Sequence, residues 1–344
     1  MRRVVVMIAV GVFLVGFTTV ASADEGPNLS FGASVSYSYD LDNDETSSVD
    51  SNNVAAYASM EQRESFNVDL VQIGVSGDRG AVSYGAKISI GDLADAAGDT
   101  DSGDVLLQEA YLAYDAGGAT ITAGRFGTPI GYEVLEPWGN GNISRSMSWG
   151  MQPVNHDGVT ISTAVGEADV TFGVVNSFTV DSSANDGDDE MGLIGSLGCS
   201  IGDMGLNIAA IYTEEGDTTD ETMINAILSG DAGDIAYAVE FNYRETDVDG
   251  GEKTADTSVV LYAATSLGGT DLDLRFEWLD DELTASTENE VWSVTATLSW
   301  ELADGVDFRL EYRHDDSDDN IFGNDANNDA DSMDLVQAQL VWAP

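Results

Sequence analysis

Leu29, Phe31, Ala33, Val35, Tyr37 and Tyr39 alternate with Ser30, Gly32, Ser34, Ser36 and Ser38. A period of two sends the first set to one face of an extended strand and the second set to the other. The pattern recurs along the chain. Val82, Tyr84, Ala86, Ile88 and Ile90 oppose Ser83, Gly85, Lys87 and Ser89, and Ile235, Tyr237, Val239, Phe241 and Tyr243 oppose Ala236, Ala238, Glu240, Asn242 and Arg244. It is clearest late. Leu272, Leu274, Phe276 and Trp278 face away from Asp271, Asp273, Arg275 and Glu277; Val306, Phe308, Leu310 and Tyr312 face away from Asp307, Arg309, Glu311 and Arg313. The segments from Trp292 to Trp300 and from Val336 to Trp342 close the series. Phe66–Ser76 changes phase partway, which predicts a bulge. Met191–Ile201, Thr222–Leu228 and Thr257–Leu267 declare no face.

The gaps between segments are of two kinds. Short Gly/Asp turns stand at 77–80, 117–118, 166–167, 202–203, 230–233, 268–269 and 304–305. Long gaps stand at 40–64, 91–104, 125–157, 179–190, 214–221, 245–253, 280–289 and 315–331, and long and short strictly take turns. A β-sandwich also alternates, but this exchange of gap lengths is the pattern of a transmembrane barrel with short periplasmic turns and long extracellular loops. Segments of about 9–12 residues suit tilted strands crossing a bilayer. The expected fold is therefore all-β: an antiparallel up-and-down barrel of about 16 strands, with both chain ends on the short-turn side. Tyr37, Tyr39, Tyr243, Trp278 and Tyr312 lie next to long gaps and Trp300 and Trp342 near the other side, as two interfacial girdles would.

The third long gap differs from the rest. Between Arg125 and Asp157 it holds Pro129, Pro137 and Pro153, which exclude it from a sheet interior. It also carries Phe126, Ile130, Leu135, Trp138, Ile143, Met147, Trp149 and Met151, which need somewhere to pack. We read it as a loop folded inward to narrow a pore.

If the apolar face meets lipid, then Lys87, Glu109, Glu240, Arg244, Asp273, Arg275, Glu277, Asp307, Arg309, Glu311 and Arg313 line the lumen, because a charge on the lipid face near the midplane costs roughly 2–4 kcal/mol. A barrel this wide leaves water inside, so these charges are expected to be hydrated. Individually, any of them could equally serve in wall ion pairs. Arg125, Tyr132, Glu133, Glu136, Trp138 and Arg145 are placed at the constriction, where closely spaced charges bias ions. The alternative for the charged four is tethering of loop to wall.

Composition fixes the setting. Arg2 and Arg3, the apolar run from Val4 to Val20, and Ala21-Ser22-Ala23 read as a signal peptide over 1–23, leaving 24–344 as one barrel domain exported by the Sec route. The whole chain carries 12 basic and 62 acidic residues; removing Arg2 and Arg3 takes the net charge from −50 to −52. That balance excludes nucleic acid as a partner. The expected partners are outer-membrane lipid and lipopolysaccharide, ions and small hydrophilic solutes, and further copies of the chain in a homotrimer.

Residues 105–165 also carry a resemblance. AGRFGTPIGYEVLEPW, then SRSMSWG and NHDGV, following the strand-like Gln108–Tyr114, resembles the OmpL-like β-barrel porins. The resemblance implies an outer-membrane channel and fixes no substrate. The chain departs from it at the end, where Trp342 is followed by Ala343 and Pro344 rather than standing last.

Other chemistry finds little support. His156 and His314 are the only imidazoles, and no nucleophile elbow surrounds Ser162, so no enzyme is expected; His156 reads as a loop residue bonded to backbone. The lone Cys199 reads as a small wall residue. No resident cofactor or metal cluster is expected. Asp40-x-Asp42-x-Asp44 and Asp325-x-Asn327-x-Asp329 offer alternate oxygens that could bind Ca²⁺, yet lack the Gly and bidentate Glu of a calcium loop. Mutually repelling solvated loops are the plainer reading. Three functions are carried forward: passive diffusion of ions and small hydrophilic solutes with cation preference, a substrate-specific uptake channel, and a structural or adhesive barrel.

Overall fold

The structure is a computed structural model that describes residues 27–41, 65–97, 105–179, 191–215, 219–251, 253–281, 289–319, 321–322 and 330–343. The expected signal peptide, both candidate calcium motifs beyond Asp40, and most of the longer loops lie outside these residues.

The first eight strands are β1 (Asn28–Asp40), β2 (Ser65–Arg79), β3 (Val82–Ile90), β4 (Val105–Asp115), β5 (Ala119–Gly127), β6 (Asn155–Val165), β7 (Ala168–Val175) and β8 (Gly192–Ile201). The remainder are β9 (Met204–Glu215), β10 (Thr219–Ala232), β11 (Ile235–Val248), β12 (Thr254–Leu267), β13 (Thr270–Asp281), β14 (Asn289–Ala303), β15 (Val306–Ser317) and β16 (Ser332–Trp342). Each strand pairs with its sequence neighbours, and β16 pairs with β1 to close the barrel. The closing register sets Val35 opposite Leu340 and Tyr37 opposite Ala338. Closure leaves no strand edge, so every strand satisfies its backbone within the sheet.

The alternation sorts inside from outside as expected. Leu29, Val35, Leu112, Phe172 and Leu310 are exposed on the outer face, whereas Ser34, Ser36, Asn225 and Thr297 are buried inside. Such an inversion is costly in water and favourable in lipid. The phase change in β2 is a bulge: the register against β1 slips between Ser34 and Ser36, and Asp69 and Leu70 both turn inward. Asp69 then accepts hydrogen bonds from Ser34, from Ser36 at 2.6 Å and from Gln339 at 2.9 Å. A second slip, between β3 and β4, turns Gln108 and Glu109 inward together.

Two features correct the expected gap pattern. The gap at 214–221 is only the link 216–218, and the gap at 245–253 shrinks to 249–253, because β9, β10 and β11 run on through acidic residues. Strands that project beyond the bilayer carry polar side chains on both faces, so their ends look like loop. The turn at 230–233 likewise narrows to Gly233 and Asp234, with Gly233 taking the positive φ of 70° that a tight hairpin demands. Two one-turn helices also appear, α1 (Asp92–Ala96) after β3 and α2 (Met147–Gly150) between β5 and β6.

Candidate functional site

The connection between β5 and β6, residues 128–154 (hereafter L3), lies inside the barrel. It contains a 3₁₀ turn at Pro137–Gly139 and α2, whose N-cap Ser146 accepts from the Trp149 N–H. It is knit internally by Arg145, whose guanidinium donates to the carbonyls of Val134, Leu135 and Ile143 at 2.8–3.2 Å. Asn140 adds bonds to Val134 and Glu136. An irregular segment exposes many backbone N–H and C=O groups, and burying them requires partners. The wall supplies those partners.

Three wall carboxylates take L3 amides. Glu240 on β11 accepts from the Tyr132 N–H at 3.1 Å and from the Gln152 side chain at 2.8 Å. Glu277 on β13 accepts from the N–H groups of Met147 and Ser148 at 2.8 and 2.7 Å, one on each oxygen, and so caps α2. Glu311 on β15 does the same for Ile143 and Ser144 at 2.5 and 2.9 Å. Wall arginines take L3 carbonyls: Arg275 bonds Ser144, Arg313 bonds Arg145 and Arg309 bonds Pro137, at 2.7–2.9 Å. Arg275 also pairs with Glu133 of L3 at 2.7 Å.

The opposite edge of L3 rests on β1–β4. Glu136 accepts from Gln72 at 2.9 Å, Gln108 at 3.0 Å and Lys87 at 3.3 Å. Burial works to raise the Glu136 carboxyl, but Lys87 and these amides outweigh it and hold the group below its ordinary value. Trp138 lies against β1 where Gly32 has no side chain; a Cβ there would strike the indole ring. Leu135 and Trp149 pack with Leu70, Leu93 and Leu106.

A larger apolar core joins L3 to the rest of the wall. Phe126, Ile130, Met147 and Met151 pack with Val175, Ile194, Ile211 and Met223 on β7–β10, and with Leu279, Val291 and Leu335 on β13, β14 and β16. With L3 in place, every one of the sixteen strands turns at least one inward residue that is buried, from Ser36 on β1 to Leu335 on β16. Towards the loops most inward wall residues are covered by L3, while Lys87, Arg244 and the L3 residues Tyr132, Glu136 and Trp138 keep part of their surface exposed. Towards the turns the lumen is wetted and acidic: Asp78, Asp115, Asp169, Asp231, Asp271 and Asp307 face inward there, each exposed or half-buried. The described inward Lys and Arg residues all lie higher up the wall.

The predicted positions divide accordingly. Glu109, Glu240, Asp273, Arg275, Glu277, Arg309, Glu311 and Arg313 face inward but are buried, so the expectation of hydrated charges fails for them. Lys87 bridges Glu109 at 2.8 Å and reaches Glu136 of L3. Arg244 pairs with Glu221 at 2.9 Å and lies 4.5 Å over the Phe178 ring. Asp307 belongs to the wetted half. Within L3, Glu133 and Arg145 are buried in tethers, while Tyr132 packs at a tilt against Tyr262 with ring centroids 4.2 Å apart. Arg125 is a correction. The next residue, Phe126, enters the interior core, so Arg125 turns to the outer face and forms a two-point pair with Asp157 at 2.8 Å. His156 is also not in a loop: it is buried at the start of β6 and contacts the Thr128 hydroxyl at 3.0 Å. Sequence reasoning passed over Asp78, Asp115, Asp169 and Asp231, although each shares its parity with the inward face of its strand. Among the described residues no group of three or more His, Cys, Asp or Glu could hold a metal ion.

Known structures share this architecture. A loop L8 deletion mutant of OmpT, an outer membrane protein of Vibrio cholerae, superposes with a TM-score of 0.65 at 12% identity, covering 93% of this chain and 99% of that one. An anion-selective porin from Comamonas acidovorans gives 0.63 at 14%, over 93% and 99%. The trimer form of in-vitro folded OmpT of Vibrio cholerae gives 0.61 at 13%, again over 93% and 99%. No curated protein matches the sequence. The family model described as "Putative beta-barrel porin-2, OmpL-like" matches residues 28–342, and the chain belongs to that family of β-barrel porins.

Proposed function

We propose that this outer-membrane barrel is a passive channel for ions and small hydrophilic solutes, and that it prefers cations. The observation that carries the preference is the turn-side half of the lumen, where six aspartates share the inward parity of their strands and are exposed or half-buried, Arg309 being the next inward residue above Asp307. Carboxylates on low-dielectric walls around a narrow water column concentrate cations and repel anions. The net charge of −50 carries the same sign. In this reading the chain is exported through the Sec route and loses residues 1–23, meets lipid and lipopolysaccharide with its outer face, and assembles as a homotrimer. Arg145 and Glu133 shape the constriction by fixing L3, and Glu136, Tyr132 and Trp138 present its partly exposed edges. Catalysis forms no part of it.

The test is the reversal potential of single channels in a KCl gradient. A cation-selective sign is expected, moving towards zero when Asp231, Asp271 and Asp307 are changed together to Asn. An anion-selective sign in the unaltered protein refutes the preference.

A further inference from the structure

We propose that the lumen carries a subsite for a linear aliphatic diamine, held by Asp231 and Asp273 at the two ends of an alanine floor on β11 and β12. The inference rests on the channel reading and deepens it by naming a class of solute. The strand registers place four inward residues in one row across the wall. Asp231 on β10 stands opposite Ala236 on β11, Ala236 opposite Ala264 on β12, and Ala264 opposite Asp273 on β13. Both alanines keep part of their surface open. The next inward row towards the loops holds Ser229, Ala238 and Tyr262. Tyr132 of L3 packs against the cluster of Ala238, Val260 and Tyr262, and so roofs the alanines. The row is a shelf with a carboxylate at each end, an apolar floor and an aromatic edge above.

Asp273 is what points to a ligand. It is 6% exposed and lies beside Gly141 of L3, yet among the described residues it accepts no hydrogen bond and forms no ion pair. Arg309 attracts it from a distance, but the Arg309 guanidinium donates to the Pro137 carbonyl instead. The wall carboxylates Glu240, Glu277 and Glu311 are all bonded to L3, so Asp273 is the exception among them. A carboxylate withdrawn from water without a donor is costly, and a cationic donor from the lumen removes that cost. Asp231, at the other end of the row, is exposed and likewise accepts no hydrogen bond among the described residues. Neighbouring strands stand about 4.8 Å apart, so the three steps from β10 to β13 separate the two aspartates by about 14 Å. Charge-assisted hydrogen bonds of about 2.8 Å at each end leave roughly 8 Å between two nitrogens, the reach of a diamine of about five carbons. Carboxylates that far apart cannot share one metal ion, whose oxygen ligands lie within about 2.6 Å of it. A diamine matches every part of the shelf: an ammonium at each aspartate, and methylene groups over Ala236 and Ala264 beneath the Tyr132 ring.

The test is calorimetric titration of the detergent-solubilised barrel with cadaverine, a linear diamine of this length, at physiological salt, where diffuse attraction is screened. Saturable binding is expected, at least about ten-fold tighter than that of pentylamine, which carries one ammonium, or of ethylenediamine, which is too short for the shelf. Asp231→Asn and Asp273→Asn should each weaken it at least about ten-fold, the loss of one charge-assisted hydrogen bond. Asp169→Asn removes the same charge from β7, outside the row, and should leave the affinity within about two-fold of the unaltered protein. Ala264→Leu keeps both charges and fills the floor, and should abolish binding even where an Asn variant fails to fold. Absence of saturable cadaverine binding overturns the subsite. So does equal weakening by all three Asn variants, which would make the general acidity of the lumen the cause, and so does unchanged affinity in Ala264→Leu. Binding is read without conduction, so each of these failures leaves the channel reading standing, whereas a barrel that binds cadaverine and carries no current in planar bilayers removes the channel and keeps the site.

Discussion

The same sixteen strands enclose two interiors, one above the other. Near the turns most described inward side chains are small or acidic and part-exposed, Ala113 and Val341 being buried exceptions; nearer the loops most are larger, of every chemical kind, and buried, with Lys87 and Arg244 keeping part of their surface. β13 shows the change within one strand: Asp271 is wetted, Asp273 is buried beside Gly141 of L3, and Arg275 and Glu277 are sealed under it. Nothing in the strand geometry distinguishes these positions. What separates them is whether L3 arrives to cover them. A barrel wall fixes which residues face in, and the segment folded within it decides whether facing in means facing water.

Removing that segment is the most forceful way to break the contrast. Deleting Gly131–Ser148 should leave the hydrogen-bonded barrel closed, since no strand pairing involves those residues. The upper half should then resemble the lower. We expect single-channel conductance to rise several-fold, measured in planar bilayers. A barrel that acts through its outer loops alone would show no change in current on the same deletion.

A subtler change keeps L3 and weakens its hold. Glu277→Gln and Glu311→Gln preserve shape but replace charge-assisted acceptors, each worth about 1.5–3 kcal/mol per hydrogen bond to a charged group, by neutral ones. The amides of Ile143, Ser144, Met147 and Ser148 should exchange hydrogen at least ten-fold faster in the double variant, while amides in β6 and β7 stay protected. Uniform acceleration throughout the barrel would mean that these carboxylates support the whole fold and not L3 in particular.

The contrast also marks where sequence pattern carries the argument and where it stops. Outward faces are plain because lipid demands an unbroken apolar row, as Leu272, Leu274, Phe276 and Trp278 form, and the exchange of long and short gaps separates that row from the inner face of a sandwich. The bulge in β2 was visible as a phase slip between Leu70 and Val71. The inward loop announced itself through apolar residues set among prolines. The destination of the charges was not legible. Glu277 grips amides 129 and 130 positions away in the chain, and a bond to backbone leaves no residue type to notice. Met223, Ile227 and Ile194 blurred the alternation of their strands because they serve an interior core, not lipid. Arg125 misled for a related reason: its side is set by Phe126, whose burial depends on L3. Glu245 and Asp247 looked like loop because strands that outrun the bilayer lose the apolar row that identifies them.

The smallest expected effect tests whether L3 is fitted to the wall on its uncharged side as well. At Gly32 the β1 wall has no side chain, and the Trp138 indole occupies the space a Cβ would need. Gly32→Ala should therefore displace the ring and cost about 1–3 kcal/mol, the usual range for overpacking a fitted contact. Trp138→Leu removes the ring and should destabilise L3 by itself. If ring and glycine are fitted to each other, the two costs cannot add, because once the indole is gone the new methyl meets open space. Thermal unfolding of the two single variants and the double variant should then give a double-variant loss smaller than the sum by about 1 kcal/mol or more. Strict additivity would mean that Trp138 sits near β1 without depending on it, and that the bonds from Glu240, Glu277 and Glu311 decide where L3 rests.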